Sequence, residues 1–386
     1  MKSVVIAGSV AQKPGRGGHT WVFLQYLLGF RRLGFDVLFL DRLEPEMCVD
    51  EAGAPVPLEQ SWNLRYLRNV MDRFGFSASY AVLVDEGRQT AGLSRPDLLE
   101  QVRRSDALIN VMGFVENEEI LAAAGKRVFL DIDPGFGQMW CDLGLHDPFK
   151  GHHAFVTIAQ KIGTDSCAIP ACGLNWISTF QPIVLDYWPV ADSPDWSSRW
   201  ITSVASWRGA YGPVEYRGKT YGLRAREFRK FAALPHLTSD RFQLALDIHR
   251  ADANDIDLLR RKGWSLVDPR HVAGDPECYA DYIRNSAAEL VVAKGMYVET
   301  RSGWVSDRSI CYLASGKPVL AQDTGVSDLL PTTEGLLTFE TVEEAADAVR
   351  AIRREPVRHA KAARRLAETH FDSSIVLSSL AKKLDL

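Results

Sequence analysis

Short apolar runs that alternate with amphipathic segments are the feature that most constrains the fold of this sequence. Residues 3–7 form one such run, and in residues 20–33 apolar side chains recur every three or four positions. The first pattern is typical of a buried strand and the second of a helix that packs on it. Repeated alternation of this kind predicts α/β domains with parallel sheets.

The alternation continues through the chain, with one interruption. Further strands are predicted at residues 37–40, 81–84, 107–111, 128–130, 154–158 and 182–187, and then at 201–205, 242–246, 289–293 and 318–321. Helices are predicted at residues 275–285, 306–315, 342–353, 358–370 and 373–384. Between the two series, residues 189–199 are rich in Pro, Asp and Ser and carry no periodic pattern, which is typical of a linker.

A chain of 386 residues is also longer than a single hydrophobic core usually supports. We therefore predict two Rossmann-like domains that face each other across a cleft. The first spans residues 1–190 and the second residues 200–370. We expect the last segment, residues 371–386, to form a helix that packs back on the first domain.

Net charge, the length of apolar runs and cysteine content indicate which partners and which compartment to expect. The net charge of −4 gives no basic surface for nucleic acid or an anionic membrane, so we expect neither partner. No apolar run approaches the roughly 18 residues of a membrane span. The six cysteines are scattered and none forms a Cys-x-x-Cys pair, which favours reduced thiols in the cytoplasm.

A glycine-rich turn follows the first predicted strand. Gly17 and Gly18 would let the backbone approach a ligand closely at a helix N-terminus, which attracts negative charge. His19 comes next and is a candidate general base, with a packing or capping role as the alternative. Asp41 ends the second predicted strand and keeps an NAD-dependent oxidoreductase open, although the loop is longer than the tight NAD turn.

The second domain contains the most informative stretch, at the predicted helix that starts near residue 306. Small polar residues before this helix would present backbone N–H groups to a phosphate, and a basic residue would add a charge-assisted contact. The residues assigned to this site are Ser302, Gly303, Ser306, Asp307, Arg308 and Ser309.

This stretch resembles the donor-binding helix of GT-B glycosyltransferases. The matching pattern is Gly303-Trp304, then Arg308, then Leu-Ala-Ser-Gly-Lys-Pro-Val at residues 313–319. The chain is similar to a broad bacterial glycosyltransferase-like group and to family-4 type enzymes. Many retaining members carry two Glu around this helix, but Cys311 stands where the second is expected. Whether transfer retains or inverts the anomeric configuration therefore stays open.

The resemblance implies a role for further residues. The segment at 206–209 looks like the start of that group's second domain, where a basic pair holds the donor diphosphate, and Arg208 and Lys219 match that pair. The donor would be a nucleoside-diphosphate sugar such as a UDP-sugar. The first domain would bind the acceptor. No protein-bound metal and no other cofactor are expected.

Two other groups are candidates from their residue types. Asp131 and Asp133 follow a predicted strand and could hold a metal–diphosphate, but an ordinary turn before Pro-Gly is the alternative. Asp133 is also a candidate catalytic carboxylate. Asn175 and Trp176 combine an amide with an aromatic ring and are assigned to acceptor binding, with core packing as the alternative for the ring.

The sequence therefore predicts a metal-independent glycosyltransferase with a small-molecule or glycan acceptor. Three alternatives remain open at this point. One is a nucleotide-sugar epimerase of the same shape, one is the NAD-dependent oxidoreductase, and one is a sugar-nucleotide-binding protein without catalytic activity.

Overall fold

The computed structural model describes residues 2–190, 199–209 and 211–386. We call residues 2–190 the first half and residues 199–370 the second half. Most of the predicted linker, residues 191–198, lies outside the described residues.

The first half is built on an eight-stranded sheet with the order β4-β3-β2-β1-β5-β6-β7-β8. Neighbouring strands are parallel except for β3 and β4, which are antiparallel. The strands are β1 Ser3–Ala7, β2 Asp36–Leu43, β3 Tyr80–Val84, β4 Gln89–Gly92, β5 Ala107–Val111, β6 Arg127–Asp131, β7 Ala154–Thr157 and β8 Trp176–Ser178. Its helices are α1 Gly17–Arg32, α2 Trp62–Arg73, α3 Arg95–Arg104, α4 Glu118–Ala123 and α5 Phe136–Asp142.

The second half is built on a six-stranded parallel sheet with the order β13-β12-β9-β14-β15-β16. Counted within this sheet, the order is 3-2-1-4-5-6, which is the Rossmann arrangement. The strands, with a separate hairpin formed by β10 and β11, are β9 Ile201–Ser206, β10 Val214–Tyr216, β11 Lys219–Tyr221, β12 Phe242–Asp247, β13 Ser265–Val267, β14 Ala288–Val291, β15 Val319–Gln322 and β16 Leu336–Phe339.

Helices surround the second sheet and continue to the end of the chain. They are α6 Arg224–Lys230, α7 Leu234–Leu237, α8 Ala253–Arg261, α9 Pro269–Ala273, α10 Pro276–Arg284, α11 Gly295–Glu299, α12 Asp307–Ala314, α13 Val342–Arg354, α14 Pro356–Leu366 and α15 Ser373–Lys383. Among the described residues, none of these helices is both long enough and apolar enough to cross a membrane.

The predicted α/β class and the two Rossmann-like sheets are confirmed. Each predicted strand corresponds to an observed one except residues 182–187, where the prediction is wrong. That segment contains a short 3₁₀ helix, Leu185–Tyr187. The backbone of Ile183 instead donates to the carbonyl of Phe371 (2.8 Å) and accepts from the amide of Ser373 (2.8 Å), so it pairs with the chain that enters α15 rather than with a sheet.

The last helix returns to the first half. A π-helical turn, Ala367–Phe371, leads from α14 into α15. Helix α15 packs along α1, where a Cβ at Gly29 would collide with Leu377. The ammonium of Lys383 also donates to the carbonyl of Ser178 (3.1 Å). The two sheets thus lie on either side of the predicted boundary, and the division into independent domains stays a prediction.

Candidate functional site

A cleft of about 860 Å³ lies between the two halves. In the first half it is lined by the loops that follow β1, β5 and β6, and in the second half by the ends of β9 and β12 and the loops after β13 and β14. All of these are carboxyl ends of parallel strands, where open α/β sheets bind their ligands.

The two walls of the cleft differ in chemistry. Both halves contribute aliphatic and aromatic side chains, with Val22, Trp62, Met112, Phe114 and Ile132 from the first half and Val204, Tyr211, Leu246, Ile248 and Tyr279 from the second. The second half contributes most of the cations, namely Arg224, Arg250, Arg270, Lys294 and Arg308. This asymmetry suits an anionic ligand on the second half and a less polar one on the first.

Asp133 joins the two walls. Its carboxylate oxygens lie 2.8 and 2.7 Å from the Nζ of Lys294, and the hydroxyl of Tyr297 donates to one of them. The Lys294 ammonium also lies 5.3 Å from the centroid of the Phe136 ring. The lining carboxylate of Asp133 and ammonium of Lys294 are therefore connected to the buried phenol of Tyr297.

Asp131 is buried and does not line the cleft, unlike Asp133. Its buried carboxylate accepts from the Nε2 of Gln138 (2.6 Å), from the hydroxyl of Thr157 (2.9 Å) and from the amide of Asp133 (3.1 Å). Burial raises the pKa of Asp131 to about 6. Asp131 therefore holds the turn that presents Asp133. Among the described residues, no three His, Cys, Asp or Glu side chains are grouped so as to hold a metal ion.

Three cations of the cleft have no carboxylate within 4.0 Å in the described part of the chain: the exposed Arg250, and the half-buried Arg224 and Lys13. Arg224 donates to the carbonyl of Ser206 (3.1 Å), while its buried Nε has no hydrogen-bond partner there. Burial, together with the charge of Arg308, lowers the pKa of Arg224 to about 10. Burial and the charge of Arg16 lower the pKa of Lys13. Both side chains can gain from an anionic ligand.

Arg308 and Asp307 lie at the start of α12, at the bottom of the cleft. Arg308 forms a buried ion pair with Glu289 and donates to the carbonyl of Val204 (2.6 Å). Its guanidinium therefore holds the second half together from within. Burial raises the pKa of Asp307. Ser306 is buried at the N-cap position, and its side chain makes no capping bond.

Three of the small residues assigned to donor binding are buried away from the cleft. The carbonyl of Ser302 accepts from the amide of Lys161 in the first half (3.1 Å). A Cβ at Gly303 would lie 2.8 Å from Leu329. Ser309 is also buried, and it does not line the cleft. The loop before α12 therefore packs against the first half, and its backbone is used in that contact.

Arg208 and Lys219 also lie outside the cleft lining. Arg208 is exposed and forms a bidentate ion pair with Asp252, at 2.9 and 2.6 Å. Lys219 is exposed on the β10–β11 hairpin. Their cationic groups are thus not placed around an anion in this structure.

The proposed acceptor residues Asn175 and Trp176 lie at the edge of the first sheet. Asn175 is exposed. The Trp176 ring packs on Phe149 and Phe155, with centroids 5.2 and 5.9 Å apart, and its Nε1 donates to the carbonyl of Ala171 (3.1 Å). The structure thus gives Trp176 a packing role and places neither residue in the cleft.

Gly17 and Gly18 of the glycine-rich loop pack against residues of the second half. A Cβ at Gly17 would collide with the carbonyl oxygen of Asp275, and one at Gly18 would lie 2.7 Å from the Tyr279 ring. The indole of Trp21 donates to the carbonyl of Pro276 (2.8 Å). The close approach that these glycines allow is therefore between α1 and α10.

Asp41 is used within the first half. It is fully buried, and it accepts from the amide of Ala11 (2.6 Å), the Nε2 of Gln12 (3.0 Å) and the amide of Arg42 (2.7 Å). Burial raises the pKa of Asp41 to about 7. This carboxylate shapes the glycine-rich loop and is not available to the ribose of NAD.

His19 lies in the first turn of α1 and lines the cleft. Its Nε2 lies 3.1 Å from the carbonyl of Ser9 and 2.9 Å from the hydroxyl of Ser9. Because a carbonyl only accepts, Nε2 carries the proton in the tautomer that makes this bond, and Nδ1 keeps its lone pair. Burial, with the charge of Lys13 nearby, lowers the pKa of His19 to about 3. The ring of His19 is therefore neutral at neutral pH.

Sequence reasoning missed Lys294, Arg224, Tyr297 and the apolar wall. One signal was available, because Lys294 directly follows a predicted strand and such positions meet at the ligand-binding edge of a sheet. Nothing in the local sequence distinguishes Arg224 from the other basic residues at 226, 229 and 230.

The sequence matches no protein family model and no curated protein. Solved structures share its shape over the whole chain. AviGT4, a glycosyltransferase involved in avilamycin A biosynthesis, matches with a TM-score of 0.56 and 13% identity, covering 100% of this chain and 97% of that one. HepE of Anabaena, in complex with UDP and glucose, matches with a TM-score of 0.61 and 10% identity over 100% of both chains.

An alpha-glucosyltransferase in complex with UDP matches with a TM-score of 0.63 and 10% identity, again over 100% of both chains. The chain has the GT-B fold. The cleft described above lies between the two Rossmann-like sheets of this fold, and both halves contribute residues to its lining.

Proposed function

We propose that this protein is a glycosyltransferase that moves a sugar from a nucleoside-diphosphate sugar to an acceptor hydroxyl. The observation that carries the proposal is the cationic second wall of the GT-B cleft, in which Arg224 has a buried Nε without a partner among the described residues. A diphosphate would satisfy such a group by a charge-assisted hydrogen bond. UDP bound to the compared HepE and alpha-glucosyltransferase supports UDP as the nucleotide.

The donor site proposed here differs from the one predicted from sequence. Lys294 and Arg224 take the place of Lys219 and Arg208 as the diphosphate contacts, with Arg308 and Asp307 at the cleft bottom. Gly17, Gly18, Ser302 and Gly303 then act by packing the two halves together, and Ser309 is buried within the second half. Fixed cations of this kind stabilise a leaving diphosphate without a metal, so we also propose metal-independent transfer.

The reaction follows from these groups. The acceptor oxygen forms a bond to the anomeric carbon, and the bond from that carbon to the β-phosphate oxygen breaks. The electron pair of the broken bond leaves with the nucleoside diphosphate, whose charge Lys294 and Arg224 stabilise. The acceptor proton passes to a base in the cleft, for which Asp133 and the Nδ1 of His19 are the candidates.

Partner and location follow as part of the same proposal. The second half would bind the donor and the first half a small-molecule or glycan acceptor. Some compared alpha-glucosyltransferase structures contain DNA, so a DNA acceptor belongs in the test. The six free cysteines support a cytoplasmic location.

Thermal melting with UDP, UDP-glucose and NAD tests the donor assignment. We expect UDP and UDP-glucose to raise the melting temperature, since a ligand at 100 times its Kd adds about 2.7 kcal/mol to stability. Release of UDP from UDP-glucose, measured with and without acceptors, then tests transfer. Stabilisation by NAD alone would contradict the proposal, and conversion of the sugar without release of UDP would indicate an epimerase.

A further inference from the structure

The first wall of the cleft presents an apolar surface to the ligand space. Trp62, Met112, Phe114 and Ile132 all line the cleft, and each is only partly buried. Apolar side chains left open in a concave site mark the position of an apolar ligand group. Most hydrogen-bonding and charged groups of the cleft lie on the opposite wall.

The backbone holds this surface in an uncommon conformation. Met112 has a φ of 53°, in the left-handed region that residues other than glycine seldom adopt. Its sulfur accepts from the amide of Ile132 (3.2 Å), which ties the loop after β5 to the loop after β6. Such strain persists where surrounding structure enforces it, and it clusters at ligand sites. Phe114 is therefore held in a fixed position next to Met112.

One cation borders this surface. The Nζ of Lys13 lies 5.7 Å from the centroid of the Phe114 ring, and Lys13 has no carboxylate within 4.0 Å among the described residues. The edge of the apolar surface therefore offers the ammonium of Lys13, which can contact an oxygen of a bound ring.

From this arrangement we infer that the acceptor is an aromatic small molecule with a ring hydroxyl. Its ring would stack on Phe114 and contact Met112 and Ile132, with an oxygen near Lys13. This inference rests on the proposed function and names the acceptor class for it. Aromatic rings prefer offset or edge-to-face contact with one another, which Phe114 and Trp62 can provide.

The competing acceptor classes fit this wall less well. A free sugar needs hydrogen-bond partners around its rim, and a buried hydroxyl without one is costly. Of Trp62, Met112, Phe114 and Ile132, only Trp62, through its indole N–H, can donate such a bond, so a sugar bound on them would depend on the other lining groups of this half, namely Lys13, Arg16, His19, Asp133 and Gln181. A nucleic acid needs cations along its phosphates. On the first wall the cations are Lys13 and Arg16, and Arg16 is paired with Asp247 at 3.1 Å.

Binding of 4-methylumbelliferone, a planar hydroxycoumarin, to the full chain saturated with UDP tests the inference directly. We expect binding by isothermal titration calorimetry, and a Kd at least about tenfold higher in Phe114→Ala, equivalent to about 1.4 kcal/mol. Phe114→Leu keeps more of the packing and serves if the alanine variant does not fold. Leu143→Ala, an exposed apolar residue outside the cleft, is the matched control and should leave the Kd unchanged.

The outcomes separate the two proposals. Equal affinity of wild type and a folded Phe114 variant would overturn the acceptor assignment, as would no binding of 4-methylumbelliferone. Transfer from UDP-glucose to maltose or to a DNA oligonucleotide in preference to 4-methylumbelliferone would also overturn it, while the glycosyltransferase proposal would stand. Failure of UDP and UDP-glucose to bind would instead contradict the proposed function.

Discussion

Lys294 and Asp133 form an ion pair across the cleft, with the ammonium nitrogen 2.7 and 2.8 Å from the two carboxylate oxygens. One partner belongs to each half of the chain. Before a ligand binds, Asp133 holds the ammonium of Lys294 in position. A diphosphate that enters the cleft would then offer this ammonium a second anion.

Lys294→Ala should weaken UDP binding by about ten- to a hundredfold, because a charge-assisted hydrogen bond contributes roughly 1.5–3 kcal/mol. Titration calorimetry with UDP measures this. Lys219→Ala is the comparison, since an exposed cation contributes at most about 1 kcal/mol and the Kd should change less than about fivefold. A large loss in Lys219→Ala with none in Lys294→Ala would return the donor site to the position predicted from sequence.

Arg308→Met should destabilise the fold by about 3–5 kcal/mol, since it leaves the fully buried Glu289 without its partner. Chemical denaturation gives the free energy of unfolding. Adding Glu289→Gln to Arg308→Met should recover much of this loss, because the unpaired charge is then removed. If Arg308→Met retained full stability and lost only UDP affinity, Arg308 would be a direct donor contact.

Gly17→Ala should lower the free energy of unfolding by about 1–3 kcal/mol, the usual range for overpacking, since its Cβ would collide with the carbonyl of Asp275. Gly125→Ala is the matched control because a Cβ there meets nothing within 4 Å. Thermal and denaturant melts of both variants check the difference. Equal stability of the two variants would show that the contact between α1 and α10 is looser than described.

His19→Gln should flatten the acid side of the stability profile. The folded pKa of His19 is about 3, below its unfolded value near 6.5, so the unfolded state binds more protons between these values. Stability from this group is therefore present above pH 6.5 and falls as pH decreases toward 3, by up to about 1.4 kcal/mol per pH unit. Urea unfolding at several pH values from 4 to 7 gives both slopes, and parallel profiles would contradict the buried neutral ring.

The sequence predicted the architecture well because the pattern that encodes it is local. The apolar run at residues 3–7 and the helical periodicity at residues 342–353 each correspond to an observed element, β1 and α13. Residues 182–187 failed because their backbone partner, Phe371, is distant in the chain. An apolar run alone does not reveal whether a neighbouring strand exists.

The site was less predictable because its residue roles depend on contacts between the halves. Ser302 and Gly17 have the residue types of a phosphate loop. In the structure, however, Ser302 accepts a hydrogen bond from Lys161 of the first half, and Gly17 packs against Asp275 of the second half. Lys294 and Arg224 are ordinary basic residues in sequence. Only the folded chain shows that one meets Asp133 and that the other has a buried Nε without a partner among the described residues.

The chain returns from the second half to the first between α14 and α15. This return is hydrogen-bonded to the first half at Ile183, whose amide donates to the carbonyl of Phe371 and whose carbonyl accepts from the amide of Ser373 (both 2.8 Å). An opening of the cleft that keeps these two bonds has its axis near this point, and it has to separate the contacts between α1 and α10. A glycine introduced by Asp372→Gly would loosen the axis itself, and would alter how fast ligands enter and leave without touching either wall.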